Sequence, residues 1–401
     1  MIAALLSTAS PAELPWHRFN GLAAQWEVLP SFVLGELLFI TCAVIALIHA
    51  QREGRDHLLI WIAALVAGTA NDFIFMALPL VDNFWQAQGT IMLTPRMPLY
   101  IPCVYVCFMY YPTVAVRRLR LRPISQAAVT GMVACLFYAP YDIVGAKFLW
   151  WTWHDTDLPI AVRILGAPVG SSLWVLTFVA AFAFLIDLAL RPRKRDAADA
   201  AGPGAAPATP VVGLATFLKG FALVAGLTSI CMVLQMTVLQ QLDGGTPGYF
   251  AFAGGWLVYL GLAIWGWKTR DPEPPRPGDR LLYAAALAYF ATLFAIMVSF
   301  DPASHRSTGV HQTVGECYVE VTDITGMTRH EFLCASDFDE DFSFECVDEL
   351  PPDGTEWYTV CGRPHTNYAA WVSGVGLLGI VGIGLFTLFL GPGRKKLVRA
   401  R

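Results

Sequence analysis

The stretch that decides the fold is "APYDIVGAKFLWWTWHDTDLPI", residues 139–160, in which an apolar run ends in a tryptophan-rich loop. Asp142 lies inside the apolar run, and the loop that follows contains Trp150, Trp151, Trp153, His154 and Asp155. Tryptophan is enriched where transmembrane helices meet the membrane surface. An acidic residue inside such a helix usually has a function, because burial of its charge is costly. This stretch therefore predicts the outer end of a transmembrane helix beside a polar site.

The composition indicates that membrane-like segments continue along the whole chain. Of the 401 residues, 56% are hydrophobic and 14% are charged, whereas a typical soluble protein has about 25% charged residues. Apolar runs long enough to cross a bilayer, about 20 residues each, lie near 29–50, 58–80, 97–116, 125–146, 167–190, 211–239, 247–267, 281–300 and 369–391. The predicted fold class is an all-α polytopic integral membrane protein with about nine transmembrane helices. The first 27 residues have no basic n-region, so we predict no cleaved signal peptide.

The basic residues predict the orientation. Lys and Arg cluster in "HAQREGRDH", "RRLRLRP", "RPRKRD", "WKTRDPEPPRPGDR" and the C-terminal tail, which nine spans place on one side of the membrane. Because basic loops stay in the cytoplasm, the N-terminus is predicted outside and the C-terminus inside, in a plasma or inner membrane. Residues 301–368 contain 14 Asp and Glu against three Arg and fall on the outer side. Nothing in this charge distribution indicates a nucleic-acid partner.

These features predict a division of the chain into seven parts. They are an extracytoplasmic N-terminus (1–28), a five-helix membrane unit (29–190), a cytoplasmic linker rich in Ala, Pro and Gly (191–210), a three-helix membrane unit (211–300), an acidic extracytoplasmic domain (301–368), a last transmembrane helix (369–391) and a basic cytoplasmic tail (392–401).

Four cysteines of the outer segment predict two disulfides. Cys317, Cys334, Cys346 and Cys361 lie within about 45 residues on the oxidising side of the membrane. Three pairings are open. A zinc site is the competing interpretation, although no C-x-x-C spacing is present. We predict no metal and no cofactor.

The five-helix unit suggests a two-helix repeat, 58–116 and 125–190. Asp72 precedes Pro98 by 26 residues, and Asp142 precedes Pro168 by the same interval. Trp85 and Trp153 occupy nearly matching positions, and Arg96 and Arg163 stand before the two prolines. Parallel repeats of this kind occur in membrane folds. The alternative is a chance likeness between two apolar hairpins.

The candidate site is a polar pocket that opens outward. Glu36, Asp72 and Asp142 are predicted at similar depth below the outer ends of their helices, since each residue adds 1.5 Å. Trp85, Trp150, Trp151 and Trp153 would form the roof, with Arg96, Lys147, His154, Asp155 and Arg163 at the rim and Asn71 and Tyr141 beside the acids. Each part also has a structural explanation: an interfacial tryptophan belt, a solvated His154–Asp155 pair, and polar or ionic pairs between helices.

A short set of motifs carries a family resemblance. An acid within a span, a W-x-W loop and a G-x-P that opens the next span occur as Asp142, "WTW" at 151–153 and "GAP" at 166–168, with "ND" at 71–72 and Pro98 as a diverged first copy. In these motifs residues 57–190 resemble the membrane-bound carotenoid 1,2-hydratase, or bisanhydrobacterioruberin hydratase, family. The resemblance implies lyase chemistry on an isoprenoid. Asp142 would be the acid, Asp72 the partner base or water-holder, and Trp150, Trp151 and Trp153 the lining of a carbocation.

Two other functions remain open. Intramembrane acids and parallel repeats also suit an ion-coupled transporter or channel. Alternatively, the outer segment 301–368 could bind a protein partner, which would make the chain a receptor or assembly subunit without catalysis. The predicted partners are therefore membrane lipid, a lipophilic small molecule and, through 301–368, a protein. Nucleotide-binding, GxSxG, HExxH and haem-attachment motifs do not occur in the sequence.

Overall fold

The computed structural model describes residues 17–78, 84–154, 157–201, 214–270, 278–324, 326–336 and 342–391, with only the backbone described for 191–201. This part of the chain is mostly helical and contains eleven α-helices. They are α1 (Leu22–Val28), α2 (Pro30–Glu53), α3 (Arg55–Ala77), α4 (Tyr100–Arg117), α5 (Pro123–Lys147), α6 (Leu158–Ala161), α7 (Val169–Ala201), α8 (Leu214–Gln240), α9 (Tyr249–Lys268), α10 (Arg280–Ser299) and α11 (Tyr368–Leu390).

Local sequence signals set several of these boundaries. Pro30 and Pro123 occupy the first turns of α2 and α5, where a missing N–H costs nothing. Gly54 has a φ of 104°, a left-handed conformation that ends α2 and lets α3 begin at the next residue. The side chains of Asp279 and Asn367 accept backbone N–H bonds and cap α10 and α11.

Within the described ranges, eight helices are long and apolar enough to cross a membrane: α2, α3, α5, α7 up to Leu190, α8 with the turn that follows it, α9, α10 and α11. The ninth predicted span corresponds to α4, whose tyrosines and terminal Arg117 make it less apolar. Every residue of α4 from 104 to 116 is buried. All four of its tyrosine hydroxyls have partners on other elements, for example Tyr111 on the Cys42 carbonyl at 2.9 Å. Burial of these tyrosines is therefore not penalised by lost hydrogen bonds.

One end of the helix bundle, which we call the loop end, carries short strands that hydropathy did not predict. Strand β1 (Arg18–Phe19) pairs with β3 (Ile91–Thr94), and β3 pairs with β4 (Met97–Pro98). Strand β2 (Phe84–Gln86) pairs with β5 (Trp151–Trp153), and β6 (Arg163–Ile164) pairs with β7 (Ala167–Pro168). All these pairs are antiparallel. The β2–β5 pair joins the loop after α3 to the loop after α5, which are the two loops of the predicted repeat; the repeat itself stays a prediction.

The described residues of the segment 301–367 form a small β-rich unit at the loop end. Strand β12 (Trp357–Gly362) is the centre of a sheet between β8 (Arg306–Val310) and β11 (Phe342–Ser343), and β9 (Glu320–Thr322) pairs with β10 (Thr328–His330). Disulfides join Cys317 to Cys334 and Cys346 to Cys361. The prediction of two disulfides is thus confirmed and the zinc interpretation is wrong.

The predicted terminal segments and linker lie largely outside the described residues. Of the predicted linker 191–210, residues 191–201 continue α7 and 202–210 lie outside. The same holds for 1–16 of the N-terminus and for the basic tail 392–401.

Candidate functional site

The β2–β5 ribbon divides the loop end into two sides. Successive side chains of a strand point to opposite faces, and directly paired residues share a face. Phe84 pairs with Trp153 and Gln86 with Trp151, while Trp85 pairs with Thr152 between them. Residues 84, 86, 151 and 153 all line a space among the helices, whereas Trp85 lines a separate space on the other face. We call the first the inner cavity and the second the outer cleft.

The inner cavity has a volume of about 460 Å³ and lies between α3, α4, α5, α7 and α8. Its wall is mainly aromatic and aliphatic: Phe75, Phe84, Tyr105, Phe108, Tyr138, Tyr141, Trp151, Trp153, Trp174, Met232, Val233, Met236 and Met327 are among the lining residues. Cavities of this size and character hold small organic ligands in proteins. Val233 is half exposed on α8 and marks where the cavity approaches the surface of the bundle.

Asp72 and Asn71 supply the polar part of the inner cavity. The hydroxyl of Tyr105 donates a hydrogen bond to Asp72, and Ser229 of α8 donates one to Asn71 at 3.1 Å. Gly68, one turn before Asp72, lies directly against the Tyr105 ring, where a Cβ would overlap it. This close approach of α3 and α4 brings the tyrosine to the acid. Both predicted residues thus line the cavity from α3.

Asp142 lies behind the cavity wall. Its side chain is completely buried, and neither carboxyl oxygen has a hydrogen-bond partner within the described part of the chain. The hydroxyls of Tyr138 and Ser171, which both line the cavity, are close enough to interact with it without forming well-aligned hydrogen bonds. These two hydroxyls therefore lie between Asp142 and the cavity.

The outer cleft, about 320 Å³, lies between the ribbon and the segment 301–367. The ribbon side contributes Trp85, and the following loop contributes His154, which contacts the Trp85 ring edge-on at 5.9 Å. His154 also lies 3.6 Å from Asp157 and 3.4 Å from the carbonyl oxygen of His330. Arg96 lines the same cleft. Two predicted roof tryptophans, Trp151 and Trp153, therefore face the inner cavity, and Trp85 faces the cleft.

Arg329 lines both spaces and was not found from the sequence. Its guanidinium donates to Asp157 and to Asp323, each at 2.6 Å, and all three side chains are buried. Burial raises the pKa of the Asp157 carboxyl, and the nearby His154 and Arg329 oppose that shift. Arg329 is one of only three arginines in the acidic segment 301–368. This scarcity of arginine was the sequence feature that could have identified it as a candidate site residue.

Three other predicted residues lie outside both spaces and make structural contacts. Glu36 accepts hydrogen bonds from the backbone N–H and the hydroxyl of Thr90, which fixes the loop before β3. Trp150 is fully buried and donates to Ser31 at 3.0 Å. Arg163 donates to the carbonyls of Ile160 and Gly166 around its own hairpin.

Asp155 lies outside the described residues. Tyr141 lines the inner cavity and contacts the Trp151 ring at 4.7 Å.

The opposite end of the bundle holds the one described cluster with donor atoms close enough for a metal: His49, Glu53 and Asp279. His49 lies 3.2 Å from Asp279, and its other ring nitrogen lies 2.7 Å from the Tyr110 hydroxyl. Arg118 lies 3.7 Å from the same carboxylate. Because a guanidinium already supplies positive charge, we interpret this cluster as an ion-pair network that joins α2, α4 and α10.

Comparison with known proteins identifies a family and no individual relative. Residues 16–193 and 268–389 match the model of a family described as a domain of unknown function, DUF7802. The match includes the ribbon, Asp72, Asp142 and Arg329, and it omits the part of the inner cavity that α8 supplies. No curated protein and no solved structure matches the chain.

Proposed function

The chain belongs to the DUF7802 family, and we propose that it is an integral membrane protein that binds a lipophilic, isoprenoid-like molecule in the inner cavity and carries out acid–base chemistry on it. The observation that carries this proposal is the composition of the cavity: a mainly apolar wall rich in aromatic residues, with one carboxylate, Asp72, exposed to its interior and a second, Asp142, directly behind the wall.

The placement in a membrane rests on the two ends of the bundle. Arg52, Arg117, Arg118, Lys268 and Arg280 lie at or beside the helix ends opposite the loop end. Both disulfides lie at the loop end. Basic residues favour the cytoplasmic side, and disulfides form in oxidising compartments. The loop end therefore faces outward, with a plasma or inner membrane as the proposed location.

An apolar ligand suits the cavity because most of its wall is apolar, and the polar side chains, which include Asp72, Gln86, Gln240, Gln241 and Arg329, are the minority. The faces of Tyr105, Tyr138, Trp151 and Trp174 would pack against flat unsaturated carbon, and the three methionines would adapt to an irregular shape. Such a ligand could enter from the bilayer near Val233, on the half-exposed side of the cavity. Entry from the membrane removes any need to cross water.

The chemistry follows from the two carboxyl groups. Adding water to, or moving, a C=C bond needs a proton donor and a surface that stabilises a developing cation. Aromatic faces provide such a surface. Asp72 with its Tyr105 hydroxyl touches the cavity and is the proposed catalytic residue. Asp142 is a positioning and proton-holding residue that acts through Tyr138 and Ser171. The motif resemblance to carotenoid hydratases supports the same reaction class.

The test is mass spectrometry and absorption spectroscopy of the molecules that co-purify with the protein in mild detergent. We would compare wild type with Asp72→Asn, Asp142→Asn and, as a matched control, Glu36→Gln, which changes a buried acid outside the cavity. We expect a stoichiometric lipophilic molecule in wild type and control, and its unprocessed form in the two aspartate variants. The same bound molecule in the same chemical form in all four proteins would contradict the catalytic role. Bulk phospholipid alone in every protein would contradict the ligand class.

A further inference from the structure

The outer cleft has the chemistry of a second binding site. We propose that it binds a neutral, polyhydroxylated group, such as a sugar or polyol, independently of what occupies the inner cavity. The cleft lies on the opposite face of the β2–β5 ribbon from the inner cavity, and it is built from both the loops of the helix bundle and the segment 301–367.

Among the described residues, His311 Nε2 and Gln312 Oε1 are buried atoms of the cleft lining that have no hydrogen-bond partner. His311 is 4% exposed, its Nδ1 lies 3.2 Å from the Thr152 hydroxyl, and its Nε2 has no hydrogen-bond partner among the residues described. The side-chain oxygen of Gln312 is likewise without a partner in the described chain, although the amide nitrogen donates to the carbonyls of His330 and Glu331 at 3.1 Å. Buried polar atoms in native proteins are nearly always satisfied, so exceptions point to a bound water, ion or ligand.

The charges of the cleft argue against an anionic ligand. Its lining contains two guanidiniums, Arg96 and Arg329, and three carboxylates, Asp157, Glu331 and Glu356. Arg329 is already shared between Asp157 and Asp323. A phosphate or carboxylate would meet more negative than positive charge, which weakens its binding.

The geometry also argues against a metal ion. A metal site needs several ligand atoms close to one another. Among the described residues, the cleft contains no group of three His, Cys, Asp or Glu side chains with donor atoms close enough to hold one ion. The cleft is moreover too large for a single ion, at about 320 Å³.

Hydroxyl groups fit this mixture of donors and acceptors. Each hydroxyl donates one hydrogen bond and accepts others, so it can donate to Glu331, Glu356 or the Gln312 oxygen and accept from a guanidinium or an imidazole. Trp85 adds a flat apolar surface against which the C–H face of a sugar ring can pack. Glu356 is exposed at the solvent side, so the ligand can arrive from outside. The ligand is either a free sugar or polyol or the head group of a glycolipid.

The experiment measures binding to full-length protein in phosphatidylcholine nanodiscs. Saturation-transfer NMR and calorimetry would use a panel of hexoses, pentoses, glycerol and sucrose as free probes. A second set of nanodiscs would contain a dihexosyl-diacylglycerol as the lipid probe. The test variant is Glu331→Gln/Glu356→Gln, which keeps shape while each substitution removes a negative charge and replaces one acceptor oxygen by an NH2 donor. Glu320→Gln/Glu345→Gln, in the same segment but outside the cleft, is the control.

We expect at least one probe to bind wild type and the control equally, and the cleft variant at least tenfold more weakly with an unchanged melting temperature. Binding of free probes identifies a soluble ligand, and binding of the glycolipid alone identifies a head group; both support the site. The proposal is overturned if no probe binds, if the cleft variant binds as wild type does, or if inorganic phosphate or Ca²⁺ binds more tightly than every probe.

Discussion

The guanidinium of Arg329 donates to the carboxylate of Asp157 at 2.6 Å, across 172 positions of sequence. This contact joins the disulfide-bonded segment 301–367 to the residue that directly precedes α6, and Arg329 lies at the boundary between the inner cavity and the outer cleft. A second bond from the same guanidinium to Asp323, also 2.6 Å, fixes the side chain from within its own segment. One buried cation therefore holds together the two candidate binding spaces.

Removal of this cation should destabilise the loop end strongly. Arg329→Met would leave Asp157 and Asp323 buried without the guanidinium that they share, and we expect a loss of about 3–5 kcal/mol in unfolding free energy, as for other broken buried pairs. Asp157→Asn should cost less, because Arg329 keeps Asp323. Thermal unfolding in detergent and the rate of proteolysis within 301–367 would measure both effects. Arg306→Met, at an exposed position, is the control. Equal losses for Arg329→Met and Arg306→Met would show that the contact is not stabilising.

The close packing of α3 against α4 at Gly68 should determine whether Tyr105 contacts Asp72 and whether the inner cavity retains its ligand. A Cβ at this position would overlap the Tyr105 ring. Gly68→Ala should therefore displace Tyr105 from Asp72, lower stability by about 1–3 kcal/mol, and reduce the amount of co-purified ligand. Gly226→Ala is the matched control, since no atom lies within 4 Å of its added Cβ. Because alanine has a higher helix propensity than glycine, this variant should be more stable than wild type by up to about 1 kcal/mol. Ligand retained in full by Gly68→Ala would contradict a role for the Tyr105–Asp72 contact.

The helical scaffold could be predicted because hydropathy is a local property of each segment. Eight predicted spans correspond to helices with the length and composition to cross a membrane, and the ninth is α4. Depth along a helix also predicts that Asp72 lies close to the end of its helix, and α3 ends five residues later at Ala77. Depth does not show which way a side chain points. The sequence therefore did not predict that Asp142 lies behind the cavity wall or that Glu36 accepts hydrogen bonds from Thr90.

The division into two spaces could not be predicted, because it depends on pairing between distant loops. Strand alternation within the β2–β5 ribbon sends Trp85 to one side and Trp151 to the other, and no hydropathy pattern revealed that Trp85 pairs with Thr152. The Arg329–Asp157 bond is a tertiary contact of the same kind. Sequence proximity had instead grouped His154 with Trp153, which lines the other space.

Acidic conditions should destabilise the segment 301–367 through His311. Burial, together with the positive charge of Arg96, lowers the pKa of His311 to about 3, whereas an unfolded histidine titrates near about 6.5. The unfolded state therefore binds the proton first as pH falls. The contribution of neutral His311 to the free energy of unfolding is fully present above about pH 6.5 and is lost progressively down to about pH 3. At pH 5 about 2 kcal/mol of this contribution is lost.

Hydrogen exchange of strands β8 and β12 between pH 7.5 and 5 would measure the effect of His311. His311→Phe should flatten the dependence and keep the ring contact with Tyr358, whose centroid lies 4.7 Å away. Burial also lowers the pKa of His305, so a smaller dependence with the same sign should remain. An unchanged pH dependence in His311→Phe would assign the effect to other groups.

The ion-pair network of His49, Asp279 and Arg118 should stabilise the protein through Asp279, and added metal should not change the melting temperature. Hydrogen bonding to His49 lowers the pKa of Asp279 to about 2, so its contribution is present above about pH 4 and disappears as pH falls toward 2. Asp279→Asn should cost about 1–3 kcal/mol, because a charge-assisted bond and part of the α10 cap are weakened. Glu53→Gln should change stability little, since Glu53 is exposed. Melting temperatures with a chelator and with added Zn²⁺ should coincide, because Arg118 supplies the positive charge. A zinc-dependent rise that both variants abolish would instead establish His49, Glu53 and Asp279 as metal ligands.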